Sequence, residues 1–208
     1  NQSPAGYLPL SGFGIAPIGG VGDETISNFT VPAFVYAGEI WTRIGIVSNG
    51  YLVVGGGTGA DIQYINPNPV PNASVPNNFL APFWTDLNPG AAGKVRIGTL
   101  TDGVSSWLIV DYENMENFSD GVPNSFQVWI GVNGVQDINF VYGSVSGGDG
   151  GALTVGAENR FGSSGNAIYQ DGVGTAPTPT NTTGYEVGVT SVPGAAGGIQ
   201  TITFKMKG

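Results

Sequence analysis

Apolar and polar positions alternate along this chain in short runs, and no run sustains the 3.6-residue period of a helix. Strands are expected at 25–31, 33–36, 40–47 and 51–54, with Phe29 and Val31 on one face of the first. A solid apolar run follows at Phe79, Leu80, Phe83 and Trp84 and ends in a polar turn at Asp86. Its length suits one buried strand. Pro82 inside it marks an edge or a bulge, since proline has no N–H for the ladder. Further strands are expected at 94–100, 105–112, 125–131, 136–142, 153–158, 185–190 and 199–206. In 105–112, Trp107 and Ile109 alternate with Leu108 and Val110, so both faces of that strand need cover. About twelve short, turn-bounded strands predict an all-β chain. The expected architecture is a two-sheet antiparallel β-sandwich or flattened barrel with long Gly/Pro/Asn-rich loops.

Two hairpins can be read in register. At Ser48-Asn49-Gly50, a two-residue Asn-Gly loop would pair Ile46 with Val53, whereas a three-residue loop pairs Ile46 with Leu52 and Ile44 with Val54. The second choice puts these aliphatics on one face, and glycine is the low-cost residue at its left-handed position. A slip of one residue would send that set to solvent, so the three-residue loop is expected. The same test at Val132-Asn133-Gly134 favours Phe126 against Phe140 and Val128 against Ile138, with Gly134 left-handed.

Between 66 and 78, nine of thirteen residues are Asn or Pro, so this stretch neither forms a helix nor pairs in a central strand. It is expected as an extended surface loop, either a crossover between sheets or a binding loop. Residues 172–184 and 192–198 read as a loop and a turn, and 1–24 as an irregular N-terminal arm. No linker composition interrupts the chain, so 1–208 is expected to be a single β-sandwich domain.

Composition narrows the chemistry. Glycine at 36 and proline at 14 fit strands joined by glycine turns rather than disorder, because 4 Trp, 8 Tyr and 10 Phe accompany only 10% charged residues. A net charge of −9 with six Lys and Arg argues against nucleic acid as a partner. No apolar stretch reaches the ~18 residues of a helical membrane span. Cysteine and histidine are both absent, which removes Cys/His zinc sites, thiol nucleophiles and histidine general bases. No signal-peptide pattern opens the chain, and a start at Asn1 without Met reads as a processed or excised segment.

Carboxylates and aromatics are what remain. The run from Asp111 to Asp120 is the densest in acids and reads as a strand end and solvated loop, with Asp111 and Glu113 on one strand face. Asp86, Asp111, Glu113 and Glu158 form the candidate metal set, offering oxygens to Ca²⁺, which takes about six to eight such ligands. The spacing matches no EF-hand loop. Asp86 has the alternative role of locking its own turn by bonding nearby backbone. A hydrolase using carboxylates alone would need two acids facing across a cleft. Trp41, opposite Ile40 and Ile44, and Trp129, opposite Phe126, are candidate ligand-binding platforms for sugars or extended peptides, or else second-layer core.

Four blocks carry a resemblance: SNGYLVVGGGTGADI at 48–62, APFWTDLNPG at 81–90, FQVWIGVNGVQDINFVYG at 126–143 and TVGAENRFGSSG at 154–165. Together they resemble the non-catalytic β-domain found behind the protease domain of secreted bacterial subtilisin-like serine proteases, over roughly residues 25–165. The central blocks are also similar to the nidogen-like domain of extracellular adhesive proteins, where an APFW-x-D segment precedes an FQ-x-x-L-x-x-(D/N)G strand pair. The first resemblance implies a secreted accessory module carried in one parent chain with a serine endopeptidase. Such a module aids stability or brings the protease to a protein or polysaccharide substrate, and is not itself an enzyme. Subtilisin-type catalysis needs a histidine, which this chain lacks. The second resemblance implies a free-standing adhesion or carbohydrate- and matrix-binding module, with Ca²⁺ as its candidate stabilising ion.

Overall fold

The computed structural model describes residues 6–67 and 69–174, together with the backbone of 184–191 and 199–206. Its strands are β1 (Ile26–Tyr36), β2 (Glu39–Val47), β3 (Tyr51–Val54), β4 (Phe79–Trp84), β5 (Leu87–Asn88), β6 (Lys94–Thr101) and β7 (Ser106–Asn117). They continue as β8 (Pro123–Gly131), β9 (Ile138–Tyr142), β10 (Thr154–Glu158), β11 (Gly165–Gln170), β12 (Val173–Gly174), β13 (Gly184–Ser191) and β14 (Ile199–Met206). Two single 3-10 turns, Leu10–Phe13 and Gly59–Asp61, are the helical pieces among the described residues. None is long and apolar enough to cross a membrane.

The strands make the expected all-β arrangement of two antiparallel sheets. Sheet A runs β1-β2-β3-β4-β10-β11-β12. Sheet B runs β14-β13-β9-β8-β7-β5, with β6 sharing the β7 edge that β5 occupies. Strand alternation divides the apolar residues between faces. Leu108, Val110, Phe126 and Val128 of sheet B meet Ile44, Leu52, Leu80 and Val155 of sheet A in the main core. Each such side chain, fully buried, contributes about 1.5–3 kcal/mol.

Both sheets are also covered on their outer faces. On sheet A, Val47, Tyr51, Phe79 and Trp84 form a second cluster, with Ile62, ahead of the Asn/Pro loop, and Val70, within that loop, laid against it. On sheet B, Trp107, Ile109, Trp129 and Val141 form a third, closed by Tyr7, Leu8, Leu10 and Ile15 of the N-terminal arm. The arm is thus what covers the second face of β7, a face that the sequence required to be covered. The order of layers is loop, sheet A, sheet B, arm.

The first hairpin has the expected register, Ile46 against Leu52 and Ile44 against Val54, with Gly50 at φ 78°. A Cβ at Gly50 would collide with the backbone carbonyl of Phe83, so the turn and the close approach both require glycine. The second hairpin differs. Val128 faces Phe140 and Ile130 faces Ile138, two residues away from expectation but with the same faces inward. Asn133 and Gly134 both have positive φ, and Val135 N–H donates to Val132 O at 3.2 Å, so the turn is a tight Asn-Gly one. The residues left over place Val135 in the third cluster and Asp137 where it accepts from Trp107 Nε1–H at 3.2 Å.

Two further departures have physical causes, and one open alternative, at Pro82, is resolved. The expected strands 25–31 and 33–36 are one strand, β1, whose register shifts between Thr30 and Phe34 around Pro32. Pro82 marks a bulge and not an edge: β4 is internal to sheet A, and its pairing with β10 shifts between Trp84 and Ala81. Strands β11 and β12 have too little apolar alternation to be read from sequence. The 192–198 turn and most of the 172–184 loop lie outside the described residues.

Candidate functional site

The Asn/Pro loop is pinned by its own side chains. Buried Asn66 donates through Nδ2 to Thr154 Oγ1 at 2.9 Å and Asp171 Oδ1 at 2.7 Å. Asn78, at φ 60°, donates to Val54 O at 2.7 Å, and Gln170 Nε2 donates to Pro67 O. Asparagine supplies donors on a short stem and tolerates left-handed backbone, while proline leaves no N–H to satisfy. Below the loop, Trp84 stacks on Tyr51 at 3.9 Å between centroids and meets Phe79 edge-on at 5.2 Å. Trp84 Nε1–H donates to Gln63 O at 3.0 Å, tying the floor to the start of the loop.

A cavity of about 240 Å³ remains between loop and sheet. Phe79, Trp84 and Glu158 line it from the sheet, and Ile65, just before the loop, lines it with Asn72 and Val75 of the loop. Glu158 points to the outer face because its neighbours Val155 and Ala157 point inward. It is 0% exposed. Its Oε2 accepts from Asn72 N–H at 2.5 Å, and its Oε1 has no hydrogen-bond partner among the described residues. Burial pushes its pKa up to about 7, against the opposing pull of the Asn72 amide. At neutral pH the group is therefore divided between acid and carboxylate.

Asp111 and Glu113 do share a face, on the outer side of sheet B, but that face is closed. The expectation of a solvated strand end is overturned: β7 continues to Asn117, and Asp111 and Glu113 are buried. Leu10 N–H donates to Asp111 Oδ2 at 2.7 Å and Ser11 N–H to Glu113 Oε1 at 3.1 Å. Arg96 pairs with Glu113 Oε2 at 2.6 Å. Burial pushes Asp111 up to about 7, opposed by the Leu10 amide and reinforced by Glu113. Burial also acts upward on Glu113, but the Ser11 amide, Asp111 and Arg96 outweigh it and hold Glu113 below its usual value.

Asp86 lies apart from both places. Asp23 and Glu24 of the N-terminal arm bring carboxylate oxygens within 4.8 Å of its own. Burial, then Glu24, Asp149 and Asp23, push its pKa up to about 6. It does not lock its turn. Asn49 does so, accepting from Leu87 N–H at 3.0 Å with its side chain and from Thr85 N–H at 3.3 Å with its backbone. The four acids expected to form one calcium shell are therefore distributed over three places. Among the described residues, Asp23, Glu24 and Asp86 are the carboxylates that converge.

Neither tryptophan is an open platform. Trp129 is fully buried beneath the arm, edge-on to Trp107 at 6.3 Å, with its Nε1–H on Gln127 Oε1 at 2.9 Å. Trp41 is half-buried against the main core and donates to Tyr36 O at 3.1 Å, while Ile40 is 75% exposed. The bulge in β1 opposite this end of the hairpin turns Trp41 inward and Ile40 out. Sequence reasoning missed the lining residues Gln63, Ile65, Asn72 and Val75. The signal for them was the pair Val70 and Val75 within a run of Asn and Pro, apolar side chains that a purely solvated loop has no use for.

A family model described as NIDO related matches residues 2–206. No curated protein and no solved structure matches the chain. The nidogen-like character of the blocks at 81–90 and 126–143 thus extends across both sheets and both of their covers. The chain belongs to the NIDO-related family.

Proposed function

We propose that this chain is a non-catalytic, extracellular binding module and that the roofed cavity on sheet A is where it binds. The observation that carries this reading is Glu158, a fully buried acid with one unpartnered oxygen at the wall of a cavity whose roof is tied down from both ends. Unsatisfied buried polar atoms are costly in folded proteins, and of those among the described residues, Asp86 Oδ1 and Asp111 Oδ1 included, Glu158 Oε1 belongs to a residue lining this cavity. Membership in the NIDO-related family supports an extracellular-type module. Two features speak against catalysis. Among the described residues lining the cavity there is no second carboxylate to pair with Glu158. Asp111 Oδ2 and both Glu113 oxygens are engaged by the arm and by Arg96, and Asp111 is closed off beneath the arm.

The finer reading joins the module to a subtilisin-like protease in the same parent chain, on the strength of the blocks at 48–62, 81–90, 126–143 and 154–165. There it brings the protease to a protein or polysaccharide substrate. The test is deletion of the module from the parent protein. Hydrolysis of a short soluble peptide should be unchanged, and hydrolysis of an insoluble protein substrate should fall. Equal loss on both substrates overturns the targeting role. A parent with no protease domain overturns the protease reading and leaves the free-standing adhesion module.

A further inference from the structure

Glu158 is fully buried, and among the described residues no cation reaches it. Arg160, two residues on, pairs with Glu39 at 2.9 Å and lies over the Phe161 ring at 4.2 Å. The other acids near the loop are satisfied: Asp171 accepts from Asn66 Nδ2 and from Leu153 N–H, and Asp61 accepts from Thr58 N–H. A buried carboxylate is costly unless a charge or several donors meet it. The walls are of another kind. Val75 and Pro76 face Phe79 and Trp84, which suits a hydrocarbon stem crossing an aromatic floor. At about 240 Å³ the space is below the ~300–1,000 Å³ of drug-sized pockets, so it fits one side chain. Ile65 and Val75 are 65% and 55% exposed, giving the mouth an apolar rim.

We propose that the cavity takes the alkylammonium end of a lysine side chain presented by a protein partner. The ammonium pairs with Glu158 Oε1, the stem lies along Phe79 and Trp84, and Ile65 and Val75 seat the surrounding partner surface. Gln63 and Ser74, also in the lining, offer oxygens for the remaining ammonium hydrogens. Oε1 is closed off from solvent in this structure, so seating the ammonium takes a small turn of the carboxylate about its broad terminal torsion, which swings Oε2 on the Asn72 amide as well. That amide also selects against arginine. A guanidinium prefers both oxygens of a carboxylate, and here only one is free, which suits a point charge. Contact with the indole of Trp84 adds a cation–π attraction.

This inference rests on the cavity being the module's ligand site, and the experiment separates the two. The intact chain is titrated with N-acetyl-lysine methylamide at pH about 8, above the raised Glu158 pKa, and followed by amide and indole N–H chemical shifts. Saturable shifts are expected at the Trp84 indole and at the amides of Asn72 and Val75. N-acetyl-norleucine methylamide, its uncharged counterpart, should bind at least about tenfold more weakly, and so should the lysine probe to Glu158→Gln. Ile65→Lys, at the exposed mouth, leaves the core untouched and should weaken the lysine probe by placing a competing cation there. Equal binding of the norleucine probe, or full binding by Glu158→Gln, overturns the ammonium pairing but leaves a ligand site. Binding of methyl glucoside without the lysine probe does the same. If no probe shifts these signals, both the lysine pairing and the binding-site reading fall.

Discussion

Each sheet of this protein carries buried acid on its outer face, and each outer face is covered by a segment that is not a strand. The two covers treat that acid differently. Over sheet B, the arm places the amides of Leu10 and Ser11 on Asp111 and Glu113, and Arg96 completes the set. Over sheet A, the Asn/Pro loop gives Glu158 a single amide and leaves space beside it. Acid beneath the arm is part of how the arm is held; acid beneath the loop is offered to something else. A strongly raised carboxylate pKa occurs in both places, so the shift alone does not mark the site. A free oxygen does not mark it either, since Asp111 Oδ1 and Glu158 Oε1 both lack partners among the described residues; the cavity beside Glu158 does.

The largest test of this contrast is packing. Leu10→Ala removes the fully buried anchor of the arm and should cost about 2–5 kcal/mol in urea unfolding. Ile65→Ala on the exposed lip of the loop should stay within about 0.5 kcal/mol. A comparable loss at both positions would mean that the loop is as structural as the arm.

Next in size is pH. Asp111 and Glu158 have unfolded values near 3.8 and 4.5 and folded values of about 7. In that interval the folded state holds more protons than the unfolded state, so stability falls as pH rises. Their contribution is complete below the unfolded values and lost by about pH 8, a change on the order of a few kcal/mol. Thermal melting at pH 5 should therefore exceed that at pH 8, and a rising profile over this range would contradict the two burials.

A smaller effect separates the two acids. Glu158→Gln should raise the melting temperature at pH 8, by about 2–4 °C for each kcal/mol of desolvation removed. Asp111→Asn keeps an acceptor for the Leu10 amide and should chiefly flatten the pH profile. The smallest effect belongs to Asp86, half-buried among Asp23, Glu24 and Asp149. Asp86→Asn relieves repulsion and should raise melting by about 1–2 °C, roughly half a kcal/mol. EDTA should leave the wild type unchanged. If EDTA and Asp86→Asn both lower it, the three carboxylates hold a cation and do not merely repel one another.

Much of the fold was legible because strand alternation and turn chemistry are local. Ile44, Ile46, Leu52 and Val54 fix their register within one hairpin, and Trp107 and Ile109 announce a covered second face. What covers that face was not legible, since Leu10 and Asp111 meet across 101 residues and nothing in either neighbourhood refers to the other. The second hairpin was misplaced by two residues because apolar parity cannot distinguish registers of equal parity. The site suffered most. Glu158 and Asp86 were singled out as acids, but their surroundings come from Asn72 and from Asp23 and Glu24, distant segments that only the folded chain brings alongside.

The two Asn-Gly dipeptides of the hairpins have different chemical lifetimes. Deamidation begins when the glycine nitrogen attacks the preceding asparagine side chain, which requires both to be free to rotate. Asn49 is fully buried, its amide engaged by Glu24 and by Leu87, and the Gly50 N–H is bound to Val47 O. Asn133 and Gly134 stand exposed at the tip of their turn. On storage at mildly alkaline pH, peptide mapping should therefore find isoaspartate at 133 long before 49. The turn that clamps the crossing between the sheets is thus the one the fold protects from ageing.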